Sequence, residues 1–164
     1  MRKLLFCVLW GLLIFSSCLK KNNGCGYTND TAIASTTDQQ SLSSFIDSAH
    51  IVATKDPRGF YYTVLAEGSG DTAKPCSQIT VSYKGWGTNG QLFDQQTNAV
   101  FTSLGSLIDG WREGMPLIRE GGQIMLYIPP SLGYGSKNLT DGSGNVVVPA
   151  NSIIIFQITL INVQ

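Results

Sequence analysis

The apolar and polar positions of this chain change period several times, and each change predicts an element. Met1-Arg2-Lys3 is followed by the apolar run Leu4 to Phe15 and by the small residues Ser16-Ser17 before Cys18, the order of an export signal. That run is shorter than the ~20 residues a membrane span needs. Leu19 to Ser35 is polar and predicts a tether. Leu42, Phe45, Ile46 and Ala49 then recur at helical spacing behind Thr37-x-x-Gln40, which has the form of a capping box, so a helix is expected from Thr37 to His50. Phe60 to Glu67 alternates and is rich in β-formers, and Ile79 to Trp86 is a stronger strand with Ile79, Val81 and Tyr83 on one face. Val100 to Leu104 predicts a short strand. Leu107, Ile108, Trp111 and Met115 return to helical spacing, which Gly114 and Pro116 stop, and Glu120-Gly121-Gly122 turns the chain into the alternating run Gln123 to Ile128. Ser131 to Gly135 turns outward, Ser136 to Val146 reads as a loop, and Ser152 to Val163 is apolar at nearly every position, as a central strand would be. The chain divides accordingly into a signal (1–17), a tether (18–35), a helical extension (36–58) and one domain (59–164).

Composition narrows the class. A chain of 164 residues with 43% hydrophobic content has room for one domain with a real core. Its 18 glycines, 6 prolines, 7 Phe, 6 Tyr and 3 Trp favour a fold rich in strands and turns over a helical bundle. Eleven basic residues balance eleven acidic ones, and only 13% of residues are charged, so the electrostatic footprint of a nucleic-acid binder is missing.

Candidate chemistry is sparse. Small residues before Cys18 resemble a bacterial lipobox, in which Cys18 becomes the acylated N-terminus of a palmitate-bearing lipoprotein. Leu19 after it, by the sorting rules of well-studied Gram-negative bacteria, points to the outer membrane facing the periplasm. With Cys7 inside the signal, Cys25 and Cys76 remain, and in an oxidising compartment they either bridge or stay as two buried thiols. No C-x-x-C occurs, and the sole histidine, His50, reads as a partner of a helix C-terminus and not as a base. Gly85 to Gly90 matches G-x-G-x-x-G, yet no helical periodicity follows and Asn89-Gly90 is a hairpin pair, which excludes a dinucleotide site. Asp141 and Asn145 lack the bidentate carboxylate of a calcium loop. Asp30-Thr31-Ala32, Asp47-Ser48-Ala49 and Asp71-Thr72-Ala73 have the acidic-hydroxyl-apolar form of some bacterial O-glycosylation acceptors. No nucleophile with a base, no paired carboxylates and no metal-ligand cluster stand out, so no cofactor or metal is expected. An aromatic set does: Tyr83, Phe93, Phe101, Trp111, Tyr134 and Phe156, with the lone acid Asp94. It reads either as core with one surface acid or as an aromatic-lined pocket for a small apolar group.

The blocks Val81-Ser82-Tyr83-Lys84-Gly85, Gly90-Gln91-Leu92-Phe93-Asp94, Leu104 to Met115, Glu120-Gly121-Gly122, Tyr127-Ile128-Pro129-Pro130, Leu132-Gly133-Tyr134-Gly135, Val148-Pro149-Ala150-Asn151 and Phe156 resemble the FKBP-type peptidyl-prolyl cis-trans isomerases. The resemblance implies an α+β fold, an antiparallel twisted sheet wrapped around one short helix with a proline pocket between them. It implies Trp111 as the pocket floor, Tyr83, Phe93, Phe101, Leu107, Ile108 and Phe156 around it, and Val148 at the rim. The Tyr134 hydroxyl and the Ile108 amide would bond substrate carbonyls, and Asp94 would lie near the twisting amide and orient Tyr83. The implied partners are proline-containing unfolded polypeptides and macrolide-type pocket ligands, bound by a monomer held at the membrane by its lipid. A non-catalytic peptide-binding chaperone of the same fold is the alternative. Ala150 stands where a second proline is common, the loop after Tyr134 is long, and Gln95-Gln96-Thr97 lacks the usual basic residue after the Phe-Asp pair.

Overall fold

The computed structural model describes residues 24–29 and 31–164; the expected signal and Cys18 lie outside them. One helix, α1 (Thr36–Ser48), precedes the strands β1 (Thr54–Lys55), β2 (Tyr61–Ala66), β3 (Ile79–Gly87) and β4 (Leu92–Phe101). The short helix α2 (Asp109–Gly114) follows, flanked by single 3-10 turns at Leu104–Ser106 and Met115–Leu117. Then come β5 (Gln123–Ile128), a small hairpin of β6 (Leu139–Thr140) and β7 (Val146–Val148), and β8 (Ile154–Val163). Six strands form one antiparallel sheet in the order β1-β2-β5-β8-β3-β4, so β8 is central as its apolar run predicts.

Alternation assigns the two faces of the sheet. Ile124, Leu126 and Ile128 of β5 and Ile154, Phe156, Ile158 and Leu160 of β8 point into the main core with Trp111 of α2 and Met115 of the turn after it. Tyr127 on the opposite face, with Tyr61 beside it in register, meets Leu42 and Ile46 of α1, and Ile153 and Ile155 pack against that second cluster. The apolar run Ile153 to Phe156 thus records cover on both faces, and further along β8 the second face carries the half-buried Gln157 and Thr159. Leu42 is completely buried, and a side chain of this size buried fully contributes about 1.5–3 kcal/mol.

Helix α2 lies very close to β5 because the positions that meet this strand, Gly110 and Gly114, carry no side chain. A Cβ on Gly110 would stand 2.6 Å from Ile128, and one on Gly114 would stand 2.6 Å from Leu126. Beneath α2, Arg58 donates to both oxygens of Asp56, Nε to Oδ1 at 2.8 Å and Nη2 to Oδ2 at 3.0 Å, and its Nε lies 3.6 Å from the buried Glu113 Oε2. Arg58 also lies over the Phe60 ring, 5.3 Å from its centroid. Burial is the largest single influence on Asp56 and raises its pKa, but the hydrogen bonds and charge of Arg58 together outweigh it and hold the carboxyl below its ordinary value. A depressed native pKa gives stability that is full above the unfolded value near 4 and is lost as pH falls through the native one. Denaturation midpoints followed from pH 6 down to pH 2 are therefore expected to fall at the acid end, and less steeply in Asp56→Asn than in wild type.

Several elements differ from their sequence-based expectations. Helix α1 starts earlier than Thr37, because Ser35 and not Thr37 is the N-cap, its Oγ accepting from the Asp38 N–H at 3.2 Å. His50 lies past the helix at φ 53°, a left-handed residue where the chain departs. The strand expected at Val100 to Leu104 is the end of the ten-residue β4, whose middle, Gln95 to Asn98, is exposed at a sheet edge and so shows no apolar alternation. The loop from Ser136 contains the β6–β7 hairpin, and Asp141 shapes its turn by accepting from the Ser143 and Asn145 amides at 2.8 and 2.9 Å. The later part of the expected tether is packed down: Cys25 and Cys76 form a disulfide with Cα atoms 5.7 Å apart, Tyr27 covers Gly105, and Ala34 is buried in the core.

Candidate functional site

The pairing of β3 with both its neighbours builds the site. Gly85 faces Asp94 on β4 and Phe156 on β8, and Tyr83 lies two residues away on the same face of β3. Between the pairs Gly85–Asp94 and Trp86–Leu92, β4 carries Phe93 as an extra residue, a bulge. Strict alternation would send Phe93 and Asp94 to opposite faces. The bulge re-aims them, so Asp94 lines the pocket while the Phe93 ring meets Phe156 at 5.6 Å and Tyr134 at 6.4 Å.

Trp111, 4% exposed, is the hub: its ring meets Tyr83 at 5.2 Å, Phe156 at 5.2 Å and Phe101 at 5.8 Å, each edge-to-face. This arrangement suits aromatic quadrupoles and fixes the rings against one another. The cavity above the hub has a volume of about 160 Å³ and is lined by Tyr83, Asp94, Phe101, Leu107, Ile108, Trp111, Tyr134 and Phe156. Of the residues the sequence places at the site, Phe93 stands behind this wall, and Val148 does not reach the rim. Val148 is 2% exposed, packed into the core at the end of β7, because the loop after Tyr134 folds back as a hairpin.

The polar groups are few. Tyr83 donates its hydroxyl to Asp94 Oδ2 at 2.7 Å. Burial, then that hydrogen bond and the Asp94 charge, push the Tyr83 phenol well above its ordinary value. Burial and then the charge of Asp94 also raise Tyr134. Both phenols stay protonated through neutral pH and serve as donors. Among the described residues, the Tyr134 hydroxyl and the Ile108 N–H have no hydrogen-bond partner, and Trp111 Nε1 is buried without one. Ile108 keeps its amide free because it is the cap residue before α2, with extended backbone at ψ 151°. The site therefore offers an apolar cavity, unpaired donors and one carboxylate, with no group among the described residues placed to attack or to shuttle a proton. Among the described residues no group of His, Cys, Asp and Glu is arranged to hold a metal.

Sequence reasoning gave Gly85 no role of its own. A Cβ there would lie 2.7 Å from a Phe156 ring carbon and 2.8 Å from a Phe93 ring carbon. Gly85→Ala is therefore expected to push both rings toward the cavity and to weaken ligand binding about three- to tenfold, with folding stability lowered by ~1–3 kcal/mol. Titration of the folded variant with a proline-containing peptide checks it, and wild-type affinity would show that the rings have room to yield. The buried Asp56 and Glu113 and the half-buried Arg58 were missed as well, because spacing in sequence does not reveal that Glu113 meets the other two under α2.

Three comparisons with known proteins bear on this site. The family described as FKBP-type peptidyl-prolyl cis-trans isomerase matches residues 70–161. A relative named FkpA from Buchnera aphidicola is 38% identical over 115 residues, covering 68% of this chain and 43% of the relative. An FK506-binding protein from Neisseria meningitidis is 38% identical over 104 residues, covering 60% of this chain and 91% of the relative. The crystal structure of FkpA from Escherichia coli superposes with TM-score 0.66 at 28% identity, covering 78% of this chain and 60% of that one. A peptidyl-prolyl cis-trans isomerase structure from Pseudomonas syringae, at 24% identity and TM-score 0.66, covers 82% of this chain and 99% of that one and shares the fold. The chain thus spans less than half the length of the FkpA-type relative it matches in sequence.

Proposed function

Because this chain belongs to the FKBP-type peptidyl-prolyl cis-trans isomerase family, we propose that it accelerates rotation about Xaa-Pro bonds in exported polypeptides and so assists their folding. The observation that carries the proposal is the cavity over Trp111: small, apolar, and edged by donors that have nothing else to bond.

Rotation about an Xaa-Pro bond is opposed by ~18–20 kcal/mol, because the twisted amide loses its resonance. A planar amide carries more charge separation than a twisted one. Burying it in the aromatic cavity without water costs the planar form more than the transition state, so the barrier falls. The Ile108 amide and the Tyr134 hydroxyl hold carbonyls on either side and fix the twisted shape, while Trp111 supports the ring from below. Asp94, held by Tyr83, faces the amide and disfavours negative charge on its oxygen, which again is the planar form. No step moves a proton to or from the protein.

The purified protein is tested on a chromogenic Xaa-Pro tetrapeptide and on a protein whose refolding waits on proline isomerisation. Both rates should rise in proportion to enzyme concentration. A well-folded protein that binds the peptide without speeding either reaction would instead be a holdase of the same fold.

Acylation of Cys18 would hold the domain at a membrane, and the small residues before that cysteine support it, with Leu19 favouring the outer membrane. Labelled palmitate incorporated by wild type and lost in Cys18→Ser is the expected result, and equal labelling of both chains would remove the anchor.

A further inference from the structure

The 160 Å³ cavity has room for little more than one proline ring, so the rest of a bound polypeptide must lie outside it. Next to it runs a larger groove of about 750 Å³, between α1, the β3–β4 turn and β7. Phe93 lines the groove and its ring touches Tyr134 and Phe156 of the cavity, so one side chain separates the two spaces.

Resting on the isomerase reading, we propose that this groove holds the extended chain on one side of the target proline, added as a strand along the edge of β7, and that it favours neutral or basic flanking residues over acidic ones. The geometry of β7 carries the first half. Val146, Val147 and Val148 all line the groove. Successive side chains of a strand point to opposite faces, so three consecutive lining residues mean that the strand presents its edge. Its other edge pairs with β6 in a sheet of two strands, so among the described residues no strand occupies the edge away from β6. An open edge beside apolar and amide side chains is the setting in which a peptide adds as a further strand, its backbone giving affinity and alternate side chains giving selectivity.

Charge carries the second half. Among the described residues, Asp38 is the only charged one lining the groove, and its Oδ2 accepts from the Ser131 N–H at 2.9 Å, which holds the carboxylate in place. Neutral Thr37, Ser41, Asn89, Gln91 and Asn151 surround it. With the cavity's own charge also a carboxylate, Asp94, an acidic neighbour to the proline meets repulsion, and no Lys or Arg stands among the described lining residues of either space to offset it.

The test uses the full chain with peptides of one central Xaa-Pro: a tetrapeptide, and the same peptide lengthened by four residues on its N-terminal or its C-terminal side. Turnover is read as kcat/KM, and binding by fluorescence anisotropy of labelled peptide. One of the two extensions should improve kcat/KM and affinity about tenfold, equivalent to 1.4 kcal/mol, and an acidic version of that extension should lose the gain. Ser41→Trp, on the exposed side of α1, should erase the gain while leaving the tetrapeptide rate unchanged. Ser41→Lys should leave that rate unchanged too and restore acidic extensions. Equal affinity for short and long peptides, or a gain that survives Ser41→Trp, overturns the proposal. A concentration-dependent dimer lost in Ser41→Trp would seat a second copy there and overturn it too. If no tetrapeptide is turned over, the isomerase reading fails on its own, and the anisotropy arm still decides the groove.

Discussion

Asp94→Ala is expected to lower kcat/KM for Xaa-Pro isomerisation by on the order of 10²-fold while peptide affinity changes only a few fold, a split that marks an interaction stronger in the transition state than in the ground state. Two effects act together. The carboxylate that opposes charge on the planar amide is removed, and the Tyr83 hydroxyl loses the acceptor it meets at 2.7 Å. A buried hydroxyl without a partner costs ~1–3 kcal/mol or rotates to find one, so Tyr83 is expected to shift toward the emptied corner and narrow the cavity. Asp94→Asn separates the effects. Its amide oxygen still accepts from Tyr83 but carries no charge, so a loss close to that of alanine assigns the effect to charge, and near-wild-type turnover assigns it to the orientation of Tyr83. Comparable losses in kcat/KM and affinity for both variants would contradict any preference for the transition state. Tyr83→Phe completes the set: it leaves the carboxylate without its donor and is expected to cost less than Asp94→Ala, since the charge remains.

How far the sequence reveals this site follows from which forces act locally. The helix–turn–strand segment from Leu107 to Ile128 was readable because its helical spacing, its Gly-Gly turn and its alternation each report a neighbour within a few residues, and β5 runs from Gln123 to Ile128 as that alternation implies. β8 was readable as central because its inward positions Ile154, Phe156, Ile158 and Leu160 are all apolar and Ile155 on the other face meets the cluster under α1. β4 was not, since an edge strand of Gln, Thr and Asn carries almost no apolar signal and is held by backbone pairing to β3. Even with β4 found, alternation would have placed Phe93 and Asp94 on opposite faces. The bulge that puts both at the site has no mark in composition, and the resemblance to a known family alone brought them together. Val148 shows the reverse limit: the resemblance set it at the rim, but a loop of this length folds into the β6–β7 hairpin and draws it into the core. Glu113 joins the local Asp56–Arg58 pair by a long-range contact, and only the fold reveals that the guanidinium lies between two carboxylates.

Removing the disulfide is expected to have the largest effect on stability. The bridge joins residues 51 apart, and closing a loop of that length lowers the entropy of the unfolded chain by ~4 kcal/mol equivalent, in a chain-entropy account. Folded-state losses add to it. Cys25 fastens the segment that carries Tyr27 over Gly105 and delivers Ala34 to the core, where its N–H donates to the Arg58 carbonyl at 2.8 Å. That carbonyl belongs to the residue that pairs Asp56 and approaches Glu113 under α2, so slackening the segment reaches the support of the helix that bears Trp111. Cys76→Ser, or reductant on wild type, should therefore lower the thermal midpoint by on the order of 10 °C for a domain of this size. Activity at low temperature should remain, because neither Cys25 nor Cys76 lines the cavity. Calorimetry with and without reductant decides it: a midpoint that does not move would mean the N-terminal segment is held by packing alone. A matched drop in Cys25→Ser, Cys76→Ser and the double variant would show that one bridge, and not two separate thiols, carries the effect.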